Sequence, residues 1–245
     1  MTERKTRANA VLYLRFICAS FTIAALVERQ SNLENGMTIK IRLWGFNGST
    51  YVRTVRMLLA EKQFTDYDQV PVNVLKGEPR EDEHRARHPF GKVPVVDVDG
   101  FRIIETTAIM RYLDTVLPGP SLTPATPKDR ARMDMVTSIV DSYGYSALVS
   151  VAGYYLFPDF IGGQNDDALK AALEKSRLVL NELMRIKGDS PYLAGSMLSI
   201  ADLYLAPIMT YVALTPHRDE IVALKGVGEW WERVTALESF RTTAP

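Results

Sequence analysis

The chain carries almost no sulfur chemistry of its own. A single cysteine, Cys18, occurs in 245 residues, which excludes an intrachain disulfide framework and a zinc site built on several cysteines. From Met37 onward there is no thiol, so sulfur that reacts must arrive with a substrate. Neither sign of charge dominates, with 29 Lys and Arg against 29 Asp and Glu. That removes the electrostatic footprint expected of a nucleic-acid or anionic-membrane binder, and partners are expected in a local pocket. Histidine is also scarce. His84, His88 and His217 show no metal-ligand spacing; they are expected at solvated loop or helix-end positions, with no metal bound.

Long apolar runs are missing except near the start. Ala10–Val27 is apolar but interrupted by Arg15, and Arg4, Lys5 and Arg7 precede it. As a membrane helix the segment is barely long enough and holds a charge inside. As a signal peptide it lacks a clean small-x-small cleavage site. A third reading is an over-extended start, with translation beginning at Met37. Residues 1–36 are therefore read as an extension outside the fold.

What remains is an ordinary globular composition, 47% hydrophobic and 24% charged, long enough for one large domain or two modest ones. Ile39–Leu43 alternates like a half-buried strand, and Thr50–Glu61 has apolar residues at helical spacing (Val52, Val55, Leu58, Leu59). Val70–Val74 is a second expected strand, and Glu78–His88 is short and polar. Val93–Val96 and Phe101–Ile104 flank Asp99-Gly100, a hairpin signal. Glu105–Val116 is then helical. The order is βαβ, a short helix, ββα, a small mixed sheet with a helix layer. Prolines 118, 120 and 124 mark a linker at residues 119–126. Beyond it only helices are expected: Pro127–Tyr155, started by Thr126 as N-cap with proline in the first turn, Asp166–Lys187, Ile200–Leu214 and Val227–Leu237. The predicted domains are residues 37–118 and 127–245.

Four separated motifs then occur in order: Gly48-Ser49-Thr50-Tyr51-Val52-Arg53, Pro89-Phe90-Gly91-Lys92-Val93-Pro94, Glu105-Thr106-Thr107-Ala108-Ile109 and Ser199-Ile200-Ala201-Asp202. Together they resemble the cytosolic glutathione transferase superfamily over nearly the whole chain after Met37. The first is similar to the serine-bearing turn of the phi, theta and zeta classes, and the chain has a bacterial look. The resemblance implies a thioredoxin-like α/β domain followed by an all-α domain, in a cytoplasmic homodimer. It also implies detoxification chemistry, with glutathione as co-substrate and a small hydrophobic electrophile as its partner, and no nucleic acid, membrane or metal.

Each motif also has a reading of its own. By position Ser49 is an N-cap serine. The same place, beside the positive end of a helix, suits a hydroxyl that favours thiolate over thiol. With the resemblance, Ser49 is the catalytic candidate. Pro94 cannot donate to a sheet ladder; the resemblance implies a cis bond that presents the Val93 backbone to glutathione's cysteinyl group. Lys92 stands where phi enzymes have glutamine, and either meets a glutathione carboxylate or is solvated. Glu105 and Thr106 open a helix, and the resemblance makes them a clamp for the γ-glutamyl zwitterion. Arg80 falls near the expected glycine end, although Pro79 replaces the family's histidine. Ser199 and Asp202 read as a capping box. Phe46, Tyr143 and Tyr154 are assigned to the hydrophobic pocket, with Tyr145, Tyr155 and Phe157 as further aromatics that could equally be core. Two alternatives stand beside the transferase. One is a glutathione-dependent isomerase, lyase or peroxidase, although Tyr51 replaces the cysteine of zeta isomerases. The other is a non-catalytic interaction module.

Overall fold

The computed structural model describes residues 39–245; the extension expected at residues 1–36 lies outside the described residues. Strand β1 (Ile41–Trp44) is an inner strand of a four-stranded sheet of order β2-β1-β3-β4. Its alternation sends Ile41 and Leu43 into the core and leaves Arg42 exposed. Strand β2 (Tyr67–Val70) runs parallel to it, in register from Ile41↔Tyr67 to Trp44↔Val70. β3 (Val95–Val98) and β4 (Phe101–Ile103) add antiparallel neighbours. In the β3–β4 turn Asp99 and Gly100 both have positive φ, 52° and 87°, the geometry that matches strand twist in a two-residue hairpin. Asp97 accepts from the Gly100 N–H at 2.8 Å, and Asp99 accepts from the Lys40 N–H at 3.0 Å.

Proline decides two strand boundaries. The strand expected over Val70–Val74 lies earlier, because Pro71 has no N–H for the ladder and pairing stops at Val70. Val74–Lys76 is a 3₁₀ turn instead. Likewise β3 begins at Val95 and not at Val93, one residue beyond Pro94. Helix α1 (Thr50–Glu61), the short α2 (Asp82–Arg85) and α3 (Thr106–Val116) complete the thioredoxin-like domain.

The remaining elements are helical: α4 (Pro127–Ile139), α5 (Tyr145–Leu156), α6 (Asp166–Lys187), α7 (Ile200–Val212), α8 (Arg218–Val222), α9 (Val227–Thr235) and α10 (Glu238–Thr242). Thr126 caps α4 by accepting from the Asp129 N–H at 3.1 Å, as its spacing predicts. The single long helix expected from Pro127 does not run unbroken. A five-residue π-helical turn, Val140–Gly144, separates α4 from α5. Gly144 is buried there, and a Cβ on it would stand 3.2 Å from Val179 Cγ1 of α6. The close approach of α6 leaves little room for a side chain there, and the wider turn changes the direction in which α5 presents its side chains.

Helix α7 is the central post. Pro207 lies inside it and supplies no N–H to the Leu203 carbonyl one turn back. The Thr54 hydroxyl of α1 donates to that carbonyl at 3.1 Å, so the gap becomes a tie to the thioredoxin-like domain. Asp202 closes the expected capping box and does more. Its carboxylate accepts from the Ser199 N–H and hydroxyl at 3.0 and 2.9 Å, and from Leu193 N–H and Trp230 Nε1–H, each at 2.9 Å. No helix among the described residues is long and apolar enough to cross a membrane.

A cavity between sheet and helices

A cavity of about 650 Å³ opens where the C-terminal end of β1, the N-termini of α1 and α3, and the helices α5 and α7 meet. Ser49 lines it as the N-cap of α1, in extended conformation (φ −80°, ψ 126°). Its Oγ accepts from the Val52 N–H at 3.4 Å. Gly48, just before it, is pinned by the Tyr211 hydroxyl of α7, which donates to the Gly48 carbonyl at 2.7 Å. A side chain at Gly48 would drive its Cβ to 2.7 Å from the Phe46 ring. The Tyr211 bond holds the turn that presents Ser49.

Opposite lies the start of α3. Glu105 precedes it with a left-handed φ of 68°, an uncommon conformation for a residue with a side chain. Its side chain does not cap the helix, which leaves the first N–H groups of α3 without a side-chain partner, and Glu105, Thr106 and Thr107 line the cavity. The Val93–Pro94 bond is cis. No hydrogen bond among the described residues occupies the Val93 backbone. Arg80 and Lys92, both exposed, complete this side.

His84 and His88, expected in solvent, are each only 2% exposed. His84 lies on α2 and His88 just beyond the turn that ends it. His84 Nε2 bonds the Lys92 carbonyl at 2.7 Å and so holds the loop ahead of Pro94. His88 lines the cavity, and its Nδ1 has no partner. Burial pushes its pKa below the ordinary histidine range, against the attraction of Glu105. His217 is half-buried between the Tyr155 hydroxyl at 2.9 Å and Glu220 at 2.5 Å.

The helical wall is aromatic with a polar seam. Tyr145, Val149, Ala152 and Gly153 of α5 line it at i, i+4, i+7 and i+8, followed by Phe157 and Phe160. Tyr204, Ile208 and Tyr211 line it from α7 at i, i+4 and i+7. The Tyr51 and Tyr145 rings stack at 4.5 Å and 13°, with Tyr204 tilted against Tyr51 at 5.4 Å. Asp141, in the π turn, accepts from Tyr51 at 2.5 Å; the Thr107 and Tyr204 hydroxyls, bonded to each other at 2.8 Å, lie 3.3 and 3.4 Å from it, and one of the two donates to it. Burial, followed by the hydrogen bond to Asp141, raises the Tyr51 pKa far above the phenol range, and burial raises Tyr204 as well. Both stay protonated at neutral pH.

Residues 39–115 match the family model for the glutathione S-transferase N-terminal domain, and residues 146–238 match that for the C-terminal domain. Glutathione S-transferase 4 of Zea mays is 30% identical over 206 residues, covering 81% of this chain and 89% of that protein. The chain belongs to the glutathione S-transferase family. Among solved structures, glutathione transferase F7 from Populus trichocarpa matches with a TM-score of 0.74 and 25% identity, over 83% of this chain and 97% of that one. Glutathione S-transferase-I bound with the ligand lactoylglutathione matches at 0.73 and 26%, over 83% and 98%.

Within this glutathione transferase the cavity gathers Ser49, Arg80, Lys92, Val93, Pro94, Glu105, Thr106 and Phe46 from the sequence-derived candidates. Tyr143 and Tyr154 stand elsewhere. Tyr143, in the π turn, is 55% exposed. Tyr154 donates to Asp166 at 2.5 Å and packs edge-on against Tyr155 at 4.8 Å. Sequence reasoning misses Tyr51, Thr107, Asp141, Tyr204 and Tyr211 as cavity residues. The one signal for the last two is their seven-residue spacing, on a helix whose opening motif reads as structural alone. Among the described residues no group of three or more His, Cys, Asp or Glu is arranged to hold a metal ion.

Proposed function

We propose that this enzyme is a serine-type transferase in which Ser49 holds glutathione as its thiolate for attack on a small hydrophobic electrophile. One observation carries the reading. Ser49 Oγ accepts from the helix and donates to nothing among the described residues, so its O–H is available to a sulfur in the cavity. The neighbouring phenols of Tyr51 and Tyr211 are committed to Asp141 and to the Gly48 carbonyl. A hydroxyl donor at a helix N-terminus favours the charged form of the sulfur.

The rest of the tripeptide follows from the chemistry of the lining. The free N–H groups of α3 and the Thr106 hydroxyl suit the γ-glutamyl carboxylate, and Glu105 suits its ammonium. The Val93 backbone suits the cysteinyl amide, while Arg80 and Lys92 suit the glycine carboxylate. The thiol proton leaves to solvent. Sulfur then forms a bond to the electrophilic carbon as the leaving group departs with its electron pair. The electrophile lies against Phe46, Tyr145 and Phe157. Glutathione is the co-substrate, no metal takes part, and the working form is a cytoplasmic homodimer. Calorimetric titration with glutathione, followed by turnover of an aryl halide, an isothiocyanate, a hydroperoxide and a β-aryl ether, tests the reading. Absence of glutathione binding would favour an interaction module and overturn it.

A further inference from the structure

We propose that Asp141 makes the second-substrate half of the cavity selective for charge, taking aromatic electrophiles that carry an ammonium or similar donor group and rejecting those that carry a carboxylate. The inference rests on the proposed function and adds the class of substrate.

Of the charged side chains that line the cavity, Arg80, Lys92 and Glu105 are used by the charged ends of glutathione. Asp141 is left over. It lies on the helical wall, on the π turn, where it lines the cavity and is exposed to solvent. Its carboxylate has three hydroxyl neighbours, Tyr51, Thr107 and Tyr204. These are neutral donors that orient the carboxylate without cancelling its charge. No salt bridge among the described residues includes Asp141. A net negative charge therefore faces the apolar half of the cavity without a cation.

The surroundings reinforce that sign. The Tyr51 and Tyr204 hydroxyls reach the carboxylate, and the Tyr145 ring stacks on that of Tyr51. Because the Tyr51 hydroxyl is spent on Asp141, that side chain offers a bound molecule its ring and no donor. Aromatic faces carry negative quadrupole density and attract cations. Asp141 is exposed, so its charge is partly screened, but at the few ångströms that separate groups inside one cavity an unpaired carboxylate still favours a cation and opposes an anion. A carboxylate-bearing electrophile would meet like charge and find Tyr51 unable to donate.

Three product analogues test this: S-benzylglutathione with a para aminomethyl, methyl or carboxylate group, titrated calorimetrically at neutral pH beside glutathione itself. The unmutated enzyme is expected to bind the aminomethyl conjugate at least ~10-fold more tightly than the carboxylate conjugate, with the methyl conjugate between. Asp141→Asn keeps an oxygen for Tyr51 and removes the charge, and should shrink that spread to within about threefold. If the variant does not fold, the ranking by the unmutated enzyme decides alone. Equal binding of the three conjugates, tighter binding of the carboxylate, or a spread that survives Asp141→Asn overturns the inference. If glutathione does not bind, the proposed function falls and takes this inference with it; if glutathione binds and the conjugates rank otherwise, only the charge selectivity falls.

Discussion

Replacing Ser49 by alanine separates the two jobs its position allows. As an N-cap its bond to the Val52 N–H spans 3.4 Å, long for a hydrogen bond, so losing it should cost only about 0.5–1 kcal/mol of stability. The Tyr211 bond to the Gly48 carbonyl still holds the turn, and the variant should fold. As a donor to sulfur, the hydroxyl bonds a charged group, an interaction of roughly 1.5–3 kcal/mol. At about 1.36 kcal/mol per pKa unit, that lowers the bound thiol about one to two units below its free value near ~8.5. In Ser49→Ala the bound thiol should titrate that much higher. Turnover near neutral pH then falls about ten- to thirtyfold, since about 3% of a thiol with pKa near ~8.5 is still ionised at pH 7, and much of the loss returns as the pH is raised past about 9. The assay is a pH profile of kcat, paired with ultraviolet titration of the enzyme-bound thiolate. A merely structural serine would lower activity equally at every pH. An alanine variant with the parent's turnover and the parent's pH profile would falsify the role of Ser49.

Three further outcomes follow from other parts of the structure. Glu105→Gln should raise the dissociation constant for glutathione about ten- to a hundredfold, Thr106→Ala less and Lys92→Ala least; equal losses in calorimetry would mean the tripeptide lies differently. The Lys62–Asp114 ion pair, 2.7 Å long with its side chains 1% and 3% exposed, should behave as a buried pair. Lys62→Met alone should cost about 3–5 kcal/mol in denaturant titration, and Lys62→Met with Asp114→Leu should recover part of it. Burial opposes ionisation of Asp114, but the Leu122 N–H and Lys62 outweigh it and hold its pKa below the ordinary range. Its stabilisation is then complete above the unfolded value near ~3.9 and lost as pH falls through the lower folded value, so a loss that begins near neutral pH would contradict the assignment. Arg53→Met removes the guanidinium bonds to Thr210 at 2.8 Å and to the Phe240 carbonyl at 2.7 Å. It should cost about 2 kcal/mol and expose α10 to limited proteolysis, and unchanged protease resistance would show that α10 is held by other contacts.

Helices with strong local signals are legible in the amino-acid pattern alone. Thr50–Glu61 and Asp166–Lys187 form where apolar spacing and polar caps place them, because those forces act within a turn or two of the chain. The Asp99-Gly100 turn is legible for the same reason. Val70–Val74 misleads because apolar β-branched residues suggest a strand where Pro71 withholds a donor. His84 and His88 mislead because burial depends on what packs over a short helix and the loop after it, which polar neighbours in sequence do not reveal.

Local sequence sets the order of the elements, their caps and turns, and the serine turn, proline and Glu-Thr pair that converge on one cavity. Each of those depends on residues a few positions apart. The helical wall is a product of long-range packing. Tyr51 meets Asp141 across 90 residues and Tyr211 meets Gly48 across 163. Such pairs form when whole helices pack, and a single π turn selects Tyr145 and Asp141 for the cavity while turning Tyr143 away. One extra residue in a helical turn rotates every side chain beyond it, and that rotation leaves no mark in the amino-acid pattern.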